Sequence, residues 1–370
     1  MRTTTAQSKL RFDPNSPEIK AYREALSRQF VREGTMVAFP MCLPGMTTQI
    51  PHDESRITAL DINSVGHVYG GTSGHEAHLF GAAYHGLTGI VLDAGTVAGA
   101  TSTVAICCGA GETAGAIAFL NGSGGGRAVR VPHLELAEDW IQEWGLEPQA
   151  LKDLGECVSG EAVVHAVALP DGKTIVGVTT GHLFTVDFES GKIRVVGEAP
   201  GRGRIAISGG GVFGQDDGAR LWRFDISSGA IARGAVALPD GEWTGGVRWA
   251  RDRHSGMVFT ADGRGRILSF DGRGFRALGK THLAPVGPMA VTPDGRIFGF
   301  CGEEMANLFV CDAVKGGPAN LGVAASVIEQ RRYGYQFGDA VTGLDGELVF
   351  GEDDNSGHLW IYFPRIRGGA

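Results

Sequence analysis

The chain has 370 residues, a formal net charge of −8 and 43% hydrophobic residues. That length holds one large domain or two, with enough apolar side chains to bury a core without disulfide or metal staples. The acidic balance argues against a nucleic-acid partner, which needs a basic surface, and no run of about 18 apolar residues marks a membrane span.

The first twenty residues lack the apolar core of a signal peptide. Asn15-Ser16-Pro17-Glu18 reads as a helix start, with Ser16 as N-cap, Pro17 in the first turn and Glu18 facing the positive dipole end. The helix is expected to run through Ala21, Leu26 and Phe30 to Gly34, making residues 1–34 an arm and residues 35–370 one domain. Thr35–Pro40 is a strand with no partner nearby in sequence.

From there a short strand recurs. It begins at His78, Ala116, His182, Arg220, Arg266, Asn307 and His358, at spacings of roughly 38 to 66 residues, the range of four-stranded propeller blades with insertions. Tight turns precede it at Pro170-Asp171-Gly172, Pro293-Asp294-Gly295 and Leu344-Asp345-Gly346, and follow it at Ser190-Gly191, Ser228-Gly229 and Gly316-Gly317. Residues 289–312 show the unit: a strand, a Pro-Asp-Gly turn, a strand at Ile297-Phe298, an acidic loop at Glu303-Glu304 and a strand at Leu308. The 59 glycines fit a chain with several tight turns per blade.

The expected fold is therefore all-β, a seven-bladed β-propeller, with a β-sandwich as the alternative. The last blade runs out of chain after its third strand, so Thr35–Pro40 is expected to supply the fourth and close the ring. Two stretches interrupt the repeat. Residues 135–156, with Trp140, Trp144, Leu146, Leu151 and Leu154 around Pro148, suggest a helical hairpin between the second and third blades. Residues 322–338 form a second insertion before the last blade. The glycine run at 122–126 has no following Lys-Ser/Thr and reads as a strand connection rather than a phosphate loop. Six cysteines without a C-x-x-C pair suggest buried, reduced thiols and a cytoplasmic setting.

Loops of such a fold fall into two sets. One face carries the Pro-Asp-Gly and Ser-Gly turns; the other carries the second-to-third-strand loops, the blade connections and most of the polar surplus. On that second face the candidate bases and acids are His75, His165, Tyr333 and Tyr335, and the candidate substrate ligands are Arg331, Arg332, Glu303 and Asp339. Two guanidiniums suit a carboxylate, and tyrosines suit sugar stacking or proton transfer. Turn alignment sets His165 level with Asp339, both near the channel mouth. The repeated His78, His182 and His358 read instead as a structural device. Several imidazoles beside carboxylates could also hold a divalent metal ion, although no H-x-x-x-H pair occurs.

The units HVYGGTSGHEAHLFGA and DGELVFGEDDNSGHLWIYFP resemble seven-bladed propeller proteins grouped with virginiamycin B lyase and with propeller polysaccharide lyases. The resemblance implies an eliminase acting on a uronate-containing glycoside. In such an enzyme a histidine or tyrosine takes the proton next to the carboxylate, and arginine or a metal steadies the charge that develops. The other readings are a metal-dependent lactonase or hydrolase, and a non-catalytic propeller that binds a glycan or protein.

Overall fold

The computed structural model describes residues 17, 31, 33–41, 50–111, 114–133, 151–216, 219–243, 247–251, 256–328, 333–355 and 357–365. The chain is a β-propeller built almost wholly of strands. After β1 (Thr35–Pro40) and a 3-10 turn at His52–Glu54 come β2 (Arg56–Ile62), β3 (Val68–Ser73), β4 (His78–His85) and β5 (Thr88–Thr96). The next set is β6 (Ala100–Cys108), β7 (Ala116–Gly122), β8 (Gly125–Val131) and β9 (Lys152–Glu156). Then follow β10 (Val163–Ala168), β11 (Thr174–Thr179), β12 (His182–Asp187) and β13 (Ile193–Glu198), and β14 (Ala206–Ser208), β15 (Gly211–Gln215), β16 (Arg220–Asp225) and β17 (Ile231–Ala237). The C-terminal sets are β18 (Trp249–Arg251), β19 (Val258–Ala261), β20 (Arg266–Phe270) and β21 (Phe275–Lys280); β22 (Val286–Val291), β23 (Arg296–Cys301), β24 (Asn307–Asp312) and β25 (Gly316–Val323); and β26 (Phe337–Thr342), β27 (Leu348–Glu352) and β28 (His358–Phe363).

A local device explains why the second and third strands of three sets pack as they do. Gly70 lies opposite Phe80, Gly177 opposite Phe184 and Gly214 opposite Trp222. A Cβ on any of these glycines would come within 2.0 to 2.2 Å of the facing ring. The missing side chain lets the aromatic lie flat across its neighbour and fill the gap between sheets. Burying such large side chains contributes roughly 1.5–3 kcal/mol each.

The innermost strands β2, β6, β10, β14, β18, β22 and β26 follow one another around the axis, with apolar clusters wedged between successive sets. Closure comes from the other end of the chain. Strand β1 pairs antiparallel with β28 from Thr35↔Phe363 to Pro40↔His358. Alternation sends Met36 and Ala38 into one cluster and Val37 and Phe39 into the next, so β1 is buried on both faces.

Three expectations change. The blades number five as separate four-stranded sheets, not seven; β2 to β9 instead belong to one sheet of eight strands. The join is short: Ser73 of β3 pairs with Ser102 of β6, and the N–H groups of Gly74 and Ala77 donate to the carbonyls of Thr101 and Ala100. Next, residues 152–156 are not helix but β9, paired with β8, with Leu151 and Leu154 packed onto the neighbouring apolar clusters. Residues 134–150 of the expected helical hairpin lie outside the described residues, as does nearly all of the N-terminal helix. Last, Ala116 opens the second strand of its set, not the third, because β6 and β7 meet through the loop at 109–115. Gly34 does adopt a left-handed backbone, with φ of 79°.

Candidate functional site

The repeated histidines are built into the blades. His78 Nδ1 lies 3.0 Å from Asp93 and Nε2 2.9 Å from Glu54, while His182 Nδ1 lies 2.6 Å from Glu161. Burial alone would lower the His78 pKa, but the hydrogen bonds and charges of Asp93 and Glu54 outweigh it and raise the value. Threonine hydroxyls close the same loops, Thr72 accepting from the N–H of His78 and Thr179 from that of His182. These groups tie second strand to third.

The chemistry collects at the axial mouth. Asp339, buried on β26, accepts from the N–H groups of Leu60 at 2.9 Å and Ala340 at 3.0 Å and forms an ion pair with Arg204. Arg204 also donates to the carbonyls of Gly338 at 3.1 Å and Thr58 at 3.4 Å. This one side chain, just ahead of β14, therefore clasps β2 and β26 across the axis.

His165, on β10, accepts the N–H of Ile205 at Nδ1, 3.3 Å away. Burial, reinforced by the Arg204 charge, holds its pKa well below the ordinary histidine value. It is thus neutral near pH 7, and with Nδ1 accepting, the proton sits on Nε2.

Arg248 stands beside Arg204 for a backbone reason. Gly203 and Val247 form a parallel bridge, the Arg204 N–H donates to the Val247 carbonyl at 2.9 Å, and Trp249 Nε1 donates to the Arg204 carbonyl at 3.0 Å. Arg248 is exposed, yet burial, followed by the Arg204 charge, lowers its pKa, with Asp339 and Asp353 acting the other way. Among the described residues its guanidinium makes no hydrogen bond. Asp353 is taken by Arg56 at 2.9 Å. Arg204 is paired with Asp339 and Arg56 with Asp353, and among the described residues Arg248 has no ion-pair partner of its own.

Of the residues selected from sequence, His165 and Asp339 come together around Arg204. His75 does not join them: its side chain is 82% exposed at the rim, 3.5 Å from Asp53. Glu303 is exposed, and its carbonyl accepts from Gln336 at 2.6 Å. Tyr335 is exposed, its N–H donating to Glu352 and its carbonyl accepting from Ala306. Tyr333 is half-buried and bridges to Ala325 through its backbone. Arg331 and Arg332 lie outside the described residues.

Arg204 and Arg248 were missed. A signal existed: Arg56, Arg204 and Arg248 each stand at, or one or two residues ahead of, the first residue of an innermost strand. Alignment on strand starts, rather than on turns, brings them into one column.

Among the described residues no group of three or more His, Cys, Asp and Glu is arranged to hold a metal ion. Cys107, Cys108, Cys157, Cys301 and Cys311 are buried thiols outside any disulfide. Burial pushes the Cys157 thiol up to about 12 and those of Cys301 and Cys311 to about 11, which suits packing and not nucleophilic attack. No helix among the described residues is long and apolar enough to cross a membrane. A scan against protein-family models and a search of curated proteins each found no match. The class the chain defines is the β-propeller.

Proposed function

We propose that this propeller binds a small carboxylate-bearing molecule, of the sugar-acid class, at its axial mouth. One observation carries the reading: Arg248 stands beside Arg204 with a guanidinium that makes no hydrogen bond among the described residues, and the segment that carries Arg204 also touches His165, whose Nε2–H is a neutral donor. A carboxylate fits the guanidinium fork with two parallel charge-assisted hydrogen bonds, which a neutral sugar cannot offer. The Arg204–Asp339 clasp ties β2 to β26, and the same segment reaches both groups, the Arg204 N–H donating to the Val247 carbonyl and the Ile205 N–H to His165 Nδ1. We also read the eight-stranded sheet as two blades sharing a hydrogen-bonded seam, which gives seven innermost strands around the mouth.

Calorimetric titration with D-glucuronate and with D-glucose tests the proposal. Glucuronate saturates the protein while glucose does not, and Arg248→Gln weakens glucuronate about tenfold or more, equivalent to about 1.4 kcal/mol. Equal binding of the two sugars, or an Arg248→Gln variant as good as the parent, overturns it.

A second reading adds β-elimination of a bound uronate, favoured by the same arginine–carboxylate pairing. His165 donates in its present tautomer, so the base falls to Tyr333 or Tyr335, the residues selected from sequence. Growth of absorbance near ~232 nm on a uronate oligosaccharide, abolished by the corresponding Tyr→Phe change, is the expected signature. Full activity in both Tyr333→Phe and Tyr335→Phe removes this reading and leaves the binding proposal standing.

A further inference from the structure

On the opposite face, between the β4–β5 hairpin and the turn joining β26 to β27, lies a cavity of about 480 Å³. That volume falls within the range of small-molecule sites. Leu344, Phe363, Pro364 and Val65 form apolar walls, and Tyr84 and Glu347 stand among them. Glu347 is only 9% exposed. Its Oε1 accepts the Tyr84 hydroxyl at 2.6 Å and its Oε2 accepts the Asp345 N–H at 3.0 Å. Gly343 makes room for it, since a Cβ there would stand 1.8 Å from Oε1. Burial, followed by the Glu347 hydrogen bond and charge, pushes the Tyr84 pKa up, so the tyrosine stays a donor to the carboxylate.

The charge balance here is the reverse of that at the axis. Asp345 adds a second carboxylate at the edge, and the lining contains neither lysine nor arginine. Burial, followed by the His133 charge, lowers the pKa of His67, so that ring brings no positive charge. A carboxylate so nearly buried, with neither lysine nor arginine in the lining, favours a cationic partner. An inorganic ion lacks the ligands, because no group of three metal-binding side chains occurs among the described residues. The rest of the lining suits an organic cation. Tyr84 and Phe363 meet edge to face, with ring centroids 6.5 Å apart and planes at 78°, and present π surface beside the carboxylate.

We propose that this cavity is a second binding site, for a small organic ammonium ion with an apolar tail. The ammonium sits against Glu347 and Asp345, and the tail lies along Leu344, Phe363 and Pro364. The site is independent of the axial mouth.

The probe is n-butylammonium chloride, followed by NMR line broadening at constant ionic strength, with 1-butanol as its neutral counterpart. The full-length chain should bind n-butylammonium saturably and 1-butanol about tenfold more weakly. Glu347→Gln should abolish the difference between the two probes, with its melting curve checking the fold. Asp345→Asn, in an exposed turn, should weaken n-butylammonium severalfold even if Glu347→Gln does not fold. Arg248→Gln should leave this binding unchanged. Absence of saturable binding, equal binding of the two probes, or full affinity in Asp345→Asn overturns the proposal.

Discussion

The two histidines His165 and His78 respond to pH in opposite directions. His165 has a folded pKa well below its unfolded value of about 6.5, so the unfolded chain takes up its proton first. Its contribution to stability is complete above that value and is lost as pH falls below it. His78 has a raised folded pKa, so its contribution is complete below about 6.5 and is lost as pH rises through the folded value. Urea melts at several pH values check both signs. His165→Gln should flatten the fall in stability on the acid side, whereas His78→Gln should cost more at pH 5.5 than at pH 8; an equal cost of His78→Gln at both values contradicts the assignment. At this scale the sequence was legible where a residue type recurs in one place of the repeat. Hence His78 and His182 were recognised as structural, and His165 and Asp339 were placed together. It was illegible for Arg204 and Arg248, whose proximity comes from the Gly203–Val247 backbone bridge, a contact between sets that no local spacing encodes.

At the scale of elements, closure by β1 carries the sharpest consequence. Met36 and Val37 are buried in different apolar clusters, and Ser326 and Val327 hydrogen-bond to the outer edge of β1. Met36→Ala should cost about 2–5 kcal/mol in chemical unfolding, and deletion through Met41 should leave an open sheet edge and an aggregating product. A deleted chain that melts as a monomer at the parental temperature contradicts the closure. The third strands beginning at His78, His182, Arg220, Arg266, Asn307 and His358 were readable because Gly and Pro-Asp-Gly turns punctuate them. The strand β9 was not, since Leu151 and Leu154 in a segment with two tryptophans fit a helical spacing as well as a strand. Tertiary pairing with β8 decided it, helped by Asp153 against Arg127 and by the left-handed Gly155. Amide exchange of residues 152–156 should show strand-like protection on the side facing β8, where a helix would protect every amide of its second turn.

At the scale of the whole molecule, the fold sets two differently charged sites on opposite faces. The axial site follows from the ring: innermost strands follow one another around a common axis, so Arg248, His165 and Asp339 each meet the Arg204 segment from distant parts of the chain. The all-β propeller was legible from the spacing of its turns. The merging of β2 to β9 into one sheet was not, because it depends on one backbone pair, Ser73 with Ser102. The most direct test of the central claim is a crystal structure of the protein soaked with D-glucuronate. The account requires the carboxylate on the Arg248 guanidinium at the axial mouth, with a sugar hydroxyl in reach of His165 Nε2. A sugar bound at the rim near His75 and Glu303 with Arg248 uncontacted, or a mouth that remains empty at saturating ligand, would contradict it.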